Sequence, residues 1–252
     1  MQVPLTVNDT AQIFPFFCYS LHKSIKIAIF ALQFNNIVSS QTGAKMRNSL
    51  FLNNFQLKNM FPTFHIKPAI LPLTDAQIYL LSAGNKGFRI ERNKDGQLNI
   101  MSPTHSKTGF FNSELNFQLT FWAKKTKLGY CFDSNTGFRL PDGSLLSPDV
   151  SFVRKEKWLL LSEKEKNGFA PICPNFVIEL KSDTDVLKEL QAKMQDWLEN
   201  GCEMAWLIDI NKEKVHIYRQ NQRIKILSFT EKIKDDSILP KFEVDFSFVE
   251  EI

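Results

Sequence analysis

The chain has 252 residues, 43% of them hydrophobic and 23% charged, with a formal net charge of +4. That composition suits one sizeable core, and the mild positive balance permits a polyanionic partner without requiring one. The four cysteines form no C-x-x-C pair and the four histidines are scattered, which argues against a disulfide framework, a zinc site, a His-based metal site or a Ser-His-Asp triad, and fits a reducing cytoplasm.

Before Leu71 the apolar residues follow neither a period of two nor one of 3.6. Residues 1–70 therefore read as an N-terminal extension of uncertain status, a candidate for poor order, with Met46 and Met60 as alternative starts. "SIKIAIFAL" begins too far inside the chain for a secretory signal, and residues 27–44 are too polar to span a bilayer. No membrane association is expected.

Residues 71–252 read as the folded domain. "TDAQIYLLSAG" predicts a short helix that Thr74 or Asp75 can cap and Gly84 can end. "FRIER" and "QLNIM" around "NKDG" predict a hairpin. Phe111, Leu115, Leu119 and Trp122 recur at helical spacing over 106–124, with Gly129 as the expected stop. "YCFDSNTGFRL" and "SLLSPDVSFVR" flank the turn Pro141-Asp142-Gly143, so Asp149 falls on the second arm of a hairpin. A lysine-rich loop is expected over 155–168. The buried strand "FVIELK" follows, then an amphipathic helix over 185–200 that Gly201 terminates. "MAWLIDI" predicts another buried strand, and "KVHIYRQ" with "RIKILSF" an antiparallel extension. This order indicates a mixed α/β domain around a central sheet.

"FVIELK" carries the chemistry. Alternation puts Val177, Glu179 and Lys181 on one face and Phe176, Ile178 and Leu180 on the other. A carboxylate in such a strand is costly unless paired or bound to metal. If the arm bearing Asp149 lies beside this strand, Asp149 and Glu179 can meet one hard divalent cation, which prefers oxygen ligands. Lys181 could then polarise a water or stabilise the transition state. The plainer alternative makes Glu179 and Lys181 a structural ion pair, and lets Asp149 simply begin a strand after Pro148.

The pattern Pro148-Asp149 followed by Glu179-x-Lys181 resembles the PD-(D/E)XK nuclease superfamily. The wider text, including "FDSNTGFRLPDGSLLSPDVSFVR" and "CPNFVIELKSDTDVLKELQAKMQDWLENGCEMAWLIDI", resembles the Uma-two family of bacterial restriction-endonuclease-like proteins over about residues 71–249. The resemblance implies a restriction-endonuclease-like core: a central mixed β-sheet flanked by helices, with antiparallel hairpin extensions. It implies Asp149 and Glu179 as metal ligands, Lys181 as the catalytic lysine, and Glu114 as a further acid from the preceding helix. Gln191 and Lys193 match polar positions that help to place water or phosphate. The expected activity is hydrolysis of nucleic-acid phosphodiesters, in DNA first, with Mg²⁺ or Mn²⁺. A homodimer would let two sites act on two strands. The rival reading is a catalytically inactive nucleic-acid-binding protein that kept the fold; a carboxylate-pair glycosidase is a third, disfavoured by the adjacent lysine.

Overall fold

The computed structural model describes residues 63–66, 73–183, 185–234 and 236–251. Most of the expected extension, with Cys18, Met46 and Met60, lies outside the described residues. Residues 76–86 belong to one compact unit, and residues 61–75 with 87–252 to another. In the first, helix α1 (Asp75–Gly84) buries Ile78 and Leu81, one turn apart.

The larger unit contains two principal sheets. One comprises β1 (Thr63–Ile66), β2 (Arg89–Arg92), β3 (Leu98–Met101), β5 (Phe138–Arg139) and β6 (Leu145–Leu146), in the order β1-β3-β2-β6-β5. The other comprises β4 (Gly129–Phe132), β7 (Val150–Arg154), β8 (Phe176–Lys181), β9 (Met204–Asp209), β10 (Lys214–Tyr218) and β11 (Lys225–Ser228), in the order β11-β10-β9-β8-β7-β4. Helix α2 (Ser106–Thr126) precedes β4; α3 (Lys155–Leu159) and α4 (Glu163–Lys166) lie between β7 and β8; α5 (Leu187–Glu199) joins β8 to β9. A small pair, β12 (Ile233–Lys234) and β13 (Glu243–Val244), precedes a final 3-10 turn.

Strands β8 and β9 are the parallel pair of this mixed sheet; its other pairings are antiparallel. Parallel neighbours need a crossover, which α5 supplies. Burial on both faces explains the nearly continuous apolar run of β9, all six of whose residues are buried. Alternation along β8 sorts its side chains into two cores. Phe176, Ile178 and Leu180 join Phe111, Leu115 and Leu119 of α2, while Val177 joins Met194 and Trp197 of α5. At roughly 1.5–3 kcal/mol per large apolar side chain, these faces supply the main drive for the two helices to dock.

Three local details extend or correct the sequence reading. The stop of α2 is Lys127, in the left-handed conformation (φ 58°), with its N–H on the Ala123 carbonyl. Gly129 has a different duty: a Cβ there would lie 2.1 Å from the Val153 carbonyl oxygen and 2.6 Å from the Phe152 ring. The expected loop over 155–168 contains α3 and α4. Ser162 caps α4 with a reciprocal bond to Glu165, so the local signal was the spacing S-x-x-E.

Candidate active site

The Pro141-Asp142-Gly143 turn closes β5 onto β6, with Gly143 at φ +86°. Both arms then split, since β4 and β7 enter the main sheet while β5 and β6 remain in the other. Pro148 and Asp149 therefore occupy the crossing from one sheet to the next. In the β7–β8 ladder Val150 faces Ile178, and one further antiparallel step sets Asp149 opposite Glu179.

Asp149 Oδ2 accepts the Leu180 N–H at 2.8 Å, and Oδ1 accepts from Arg89 Nη1 at 3.1 Å. The residue is 9% exposed and lines an open cleft of about 390 Å³, shared with Asn112, Ser113, Asn116 and Phe117 of α2 and with Ser134. Glu179 is closed in, at 2% exposed. Its Oε1 accepts from Trp197 Nε1 at 2.9 Å and pairs with Lys193 Nζ at 2.8 Å. Lys193 also reaches Glu91 Oε1 at 3.0 Å. Glu91, buried on β2, accepts the Ser147 N–H as well. Glu179 is thus paired through Lys193, one turn before Trp197 on α5, rather than through Lys181.

The buried cluster sets three carboxylates (Glu91, Asp149 and Glu179) against two cations (Arg89 and Lys193). Burial pushes the Glu179 carboxyl up to about 7; Lys193 and Arg89 oppose the shift, whereas Asp149 and Glu91 add to it. Burial lowers the Lys193 pKa, but Glu179 and Glu91 outweigh it and raise that pKa above its ordinary value. Arg89 is likewise held charged, because Asp149, Glu91 and Glu179 overcome its desolvation.

The predicted residues fall into two groups. Asp149, Glu179 and Lys193 share the cluster. Lys181 follows Glu179 on the same face at the end of β8, where Nζ donates to the Ser182 carbonyl at 3.1 Å. Glu114 is half-buried on α2, and its side chain makes no hydrogen bond or ion pair among the described residues. It is absent from the lining of the cleft, to which α2 presents Asn112, Ser113, Asn116 and Phe117. Gln191 lies toward the Tyr218 hydroxyl on β10. Sequence reasoning missed Arg89 and Glu91. Their signal was the alternation in "FRIER", which sets two opposite charges on one face of a strand.

Among the described residues, no group of three or more His, Cys, Asp or Glu side chains is arranged to hold a metal ion. A hard divalent cation can manage with one or two carboxylates plus water. Asp149 and Glu179 supply such oxygens from facing positions, and Asp149 is open to the cleft. With every group ionised, the cluster also carries one formal negative charge in excess. In chemistry, this pair of carboxylate donors suits a hard divalent cation.

Comparison with known proteins adds a lineage. No curated protein matches this sequence. A crystal structure of a "putative nuclease belonging to DUF820" from Anabaena variabilis superposes with a TM-score of 0.54 at 19% identity, covering 64% of this chain and 89% of that one. At that identity the likeness establishes a shared fold. A family model, Uma2, described as "Putative restriction endonuclease", matches residues 76–247. That match spans most of the chain, so this chain belongs to the Uma2 family.

Proposed function

We propose that this protein is a metal-dependent endonuclease hydrolysing phosphodiester bonds of nucleic acid, DNA in the first instance. The observation that carries the reading is the carboxylate cluster at the crossing of the two sheets, facing a cleft through Asp149. The family and the nuclease-like neighbour support it.

Asp149 and Glu179 would hold Mg²⁺ or Mn²⁺, which when bound would acidify a water and offset phosphate charge. Arg89 holds Asp149 at the cleft through its 3.1 Å contact. Lys193 and Trp197 fix Glu179 so that one oxygen is already oriented. Lys181, bonded among the described residues only to a neighbouring carbonyl, can leave that bond at little cost and donate to a phosphate oxygen. Glu114 and Gln191 would assist only after moving toward the cleft. A homodimer would bring two such sites to two strands.

A second reading, an inactive nucleic-acid-binding protein, is favoured by one observation: both Asp149 oxygens already accept hydrogen bonds, and Glu179 is closed by Trp197 and Lys193. The two separate in one assay of purified protein on supercoiled, linear and single-stranded DNA with Mg²⁺, Mn²⁺ or EDTA. Cleavage requiring the ion should fall by roughly a hundredfold or more in Asp149→Ala and Lys181→Ala. Identical rates in wild type and Lys181→Ala would remove the lysine from the chemistry. Binding without cleavage under every condition would favour the second reading.

A further inference from the structure

Helix α2 buries Phe111, Leu115, Leu119 and Trp122. Phe117 and Phe121 fall outside that stripe and stand 64% and 51% exposed. Their rings stack on each other, with centroids 6.0 Å apart and planes inclined by 22°. The Lys125 ammonium lies 4.1 Å from the centre of the Phe121 ring. Spacings of four and four make one row along the helix. At one end Phe117 lines the cleft that contains Asp149; at the other, Lys124, Lys125 and Lys127 are exposed.

We propose that this face of α2 is a stacking platform for an unpaired nucleic-acid strand. Phe117 and Phe121 would receive base faces, and the lysine cluster would neutralise phosphates as the strand leads toward Asp149. The inference rests on the nuclease reading of the cleft and adds the strand state of its substrate. In a duplex the base faces are covered by their neighbours, whereas an unpaired strand offers them freely, and stacking on aromatic rings tolerates any sequence. Asp133 and Asp149 make the cleft end acidic, so bases rather than phosphates suit the anchor beside Phe117. A second copy of the chain is the poorer occupant. Two rings fall well short of the roughly 800 Å² per partner of a stable interface, and the three lysines at the row's end would repel their own image.

The test is fluorescence anisotropy with the full chain in EDTA, where binding is read without cleavage. The probes are a labelled oligothymidylate of about twenty nucleotides and a hairpin duplex of similar length. Phe117→Ala and Phe121→Ala should each weaken oligothymidylate binding about tenfold while hairpin binding stays within about twofold. Phe117→Trp should restore the affinity, which distinguishes lost stacking from lost folding, and Lys125→Gln should lower the salt slope by about 0.7. Unchanged affinity, equal losses on both probes, or a loss that tracks a change in sedimenting mass would overturn the proposal. Failure of the nuclease reading looks different: the oligonucleotide would still bind through Phe117 and Phe121, yet never be cut when Mg²⁺ or Mn²⁺ is added.

Discussion

Between about pH 4.5 and 7 a folded Glu179 retains a proton that an unfolded glutamate releases. The unfolded state then binds fewer protons, so stability falls as pH rises through this window and the loss is complete above it. The effect is on the order of 3 kcal/mol, since each pKa unit corresponds to about 1.4 kcal/mol. Urea unfolding in metal-free buffer should show the decline between pH 5 and 7.5, and Glu179→Gln should flatten it. An unchanged slope in that variant would move the titration to another group. The same residue shows what a sequence can and cannot disclose. Its cost in a buried strand was evident from "FVIELK", and so was the face it shares with Val177. The identity of its counter-ion was not. Lys181 is two residues away in the chain, but the ammonium that meets Glu179 comes from Lys193, after the strand has ended and a helix has turned back over it.

Elements were legible where their periodicity was local. Helix α5, with Met194 and Trp197 on its buried face, and the β10–β11 pair follow directly from apolar spacing. The segment over 155–168 was obscured by its lysines, although its Ser162–Glu165 cap was readable. Gly129 was misassigned because a glycine after a helix usually ends it. Here the glycine is needed by the neighbouring strand, where the Val153 carbonyl and the Phe152 ring leave no space for a methyl group. Phe152 cannot simply withdraw, because it packs edge-on against Trp122, with ring centroids 5.2 Å apart. Gly129→Ala should therefore destabilise the protein by about 1–3 kcal/mol, measurable as a lower denaturation midpoint, whereas Gly168→Ala, whose nearest atom would be 3.8 Å away, should not create the same clash. Equal effects at the two positions would refute the crowding argument.

In the larger unit, the candidate site is assembled from β2, the β6–β7 crossing, β8 and α5. A cation that binds there stabilises the folded state in proportion to its occupancy. With Mg²⁺ or Mn²⁺ at about a hundred times its dissociation constant the gain is about 2.7 kcal/mol. It should appear as a raised melting temperature at pH 8, shrink at pH 5 where Glu179 is protonated, and vanish in Asp149→Asn. Equal stabilisation of wild type and Asp149→Asn would place the ion elsewhere. The family and the order of elements along the chain could be read from the sequence, but the pairing of Arg89 with Asp149 and of Glu91 with Lys193 could not, because it exists only once the two sheets meet. That origin has a kinetic corollary. Glu91, Asp149 and Glu179 come from well-separated stretches of chain, so their mutual repulsion is nearly absent in the early pieces and appears when those pieces join. Acidity and dissolved divalent ions should consequently set the pace of that last assembly event, while leaving the formation of the individual helices and hairpins almost untouched.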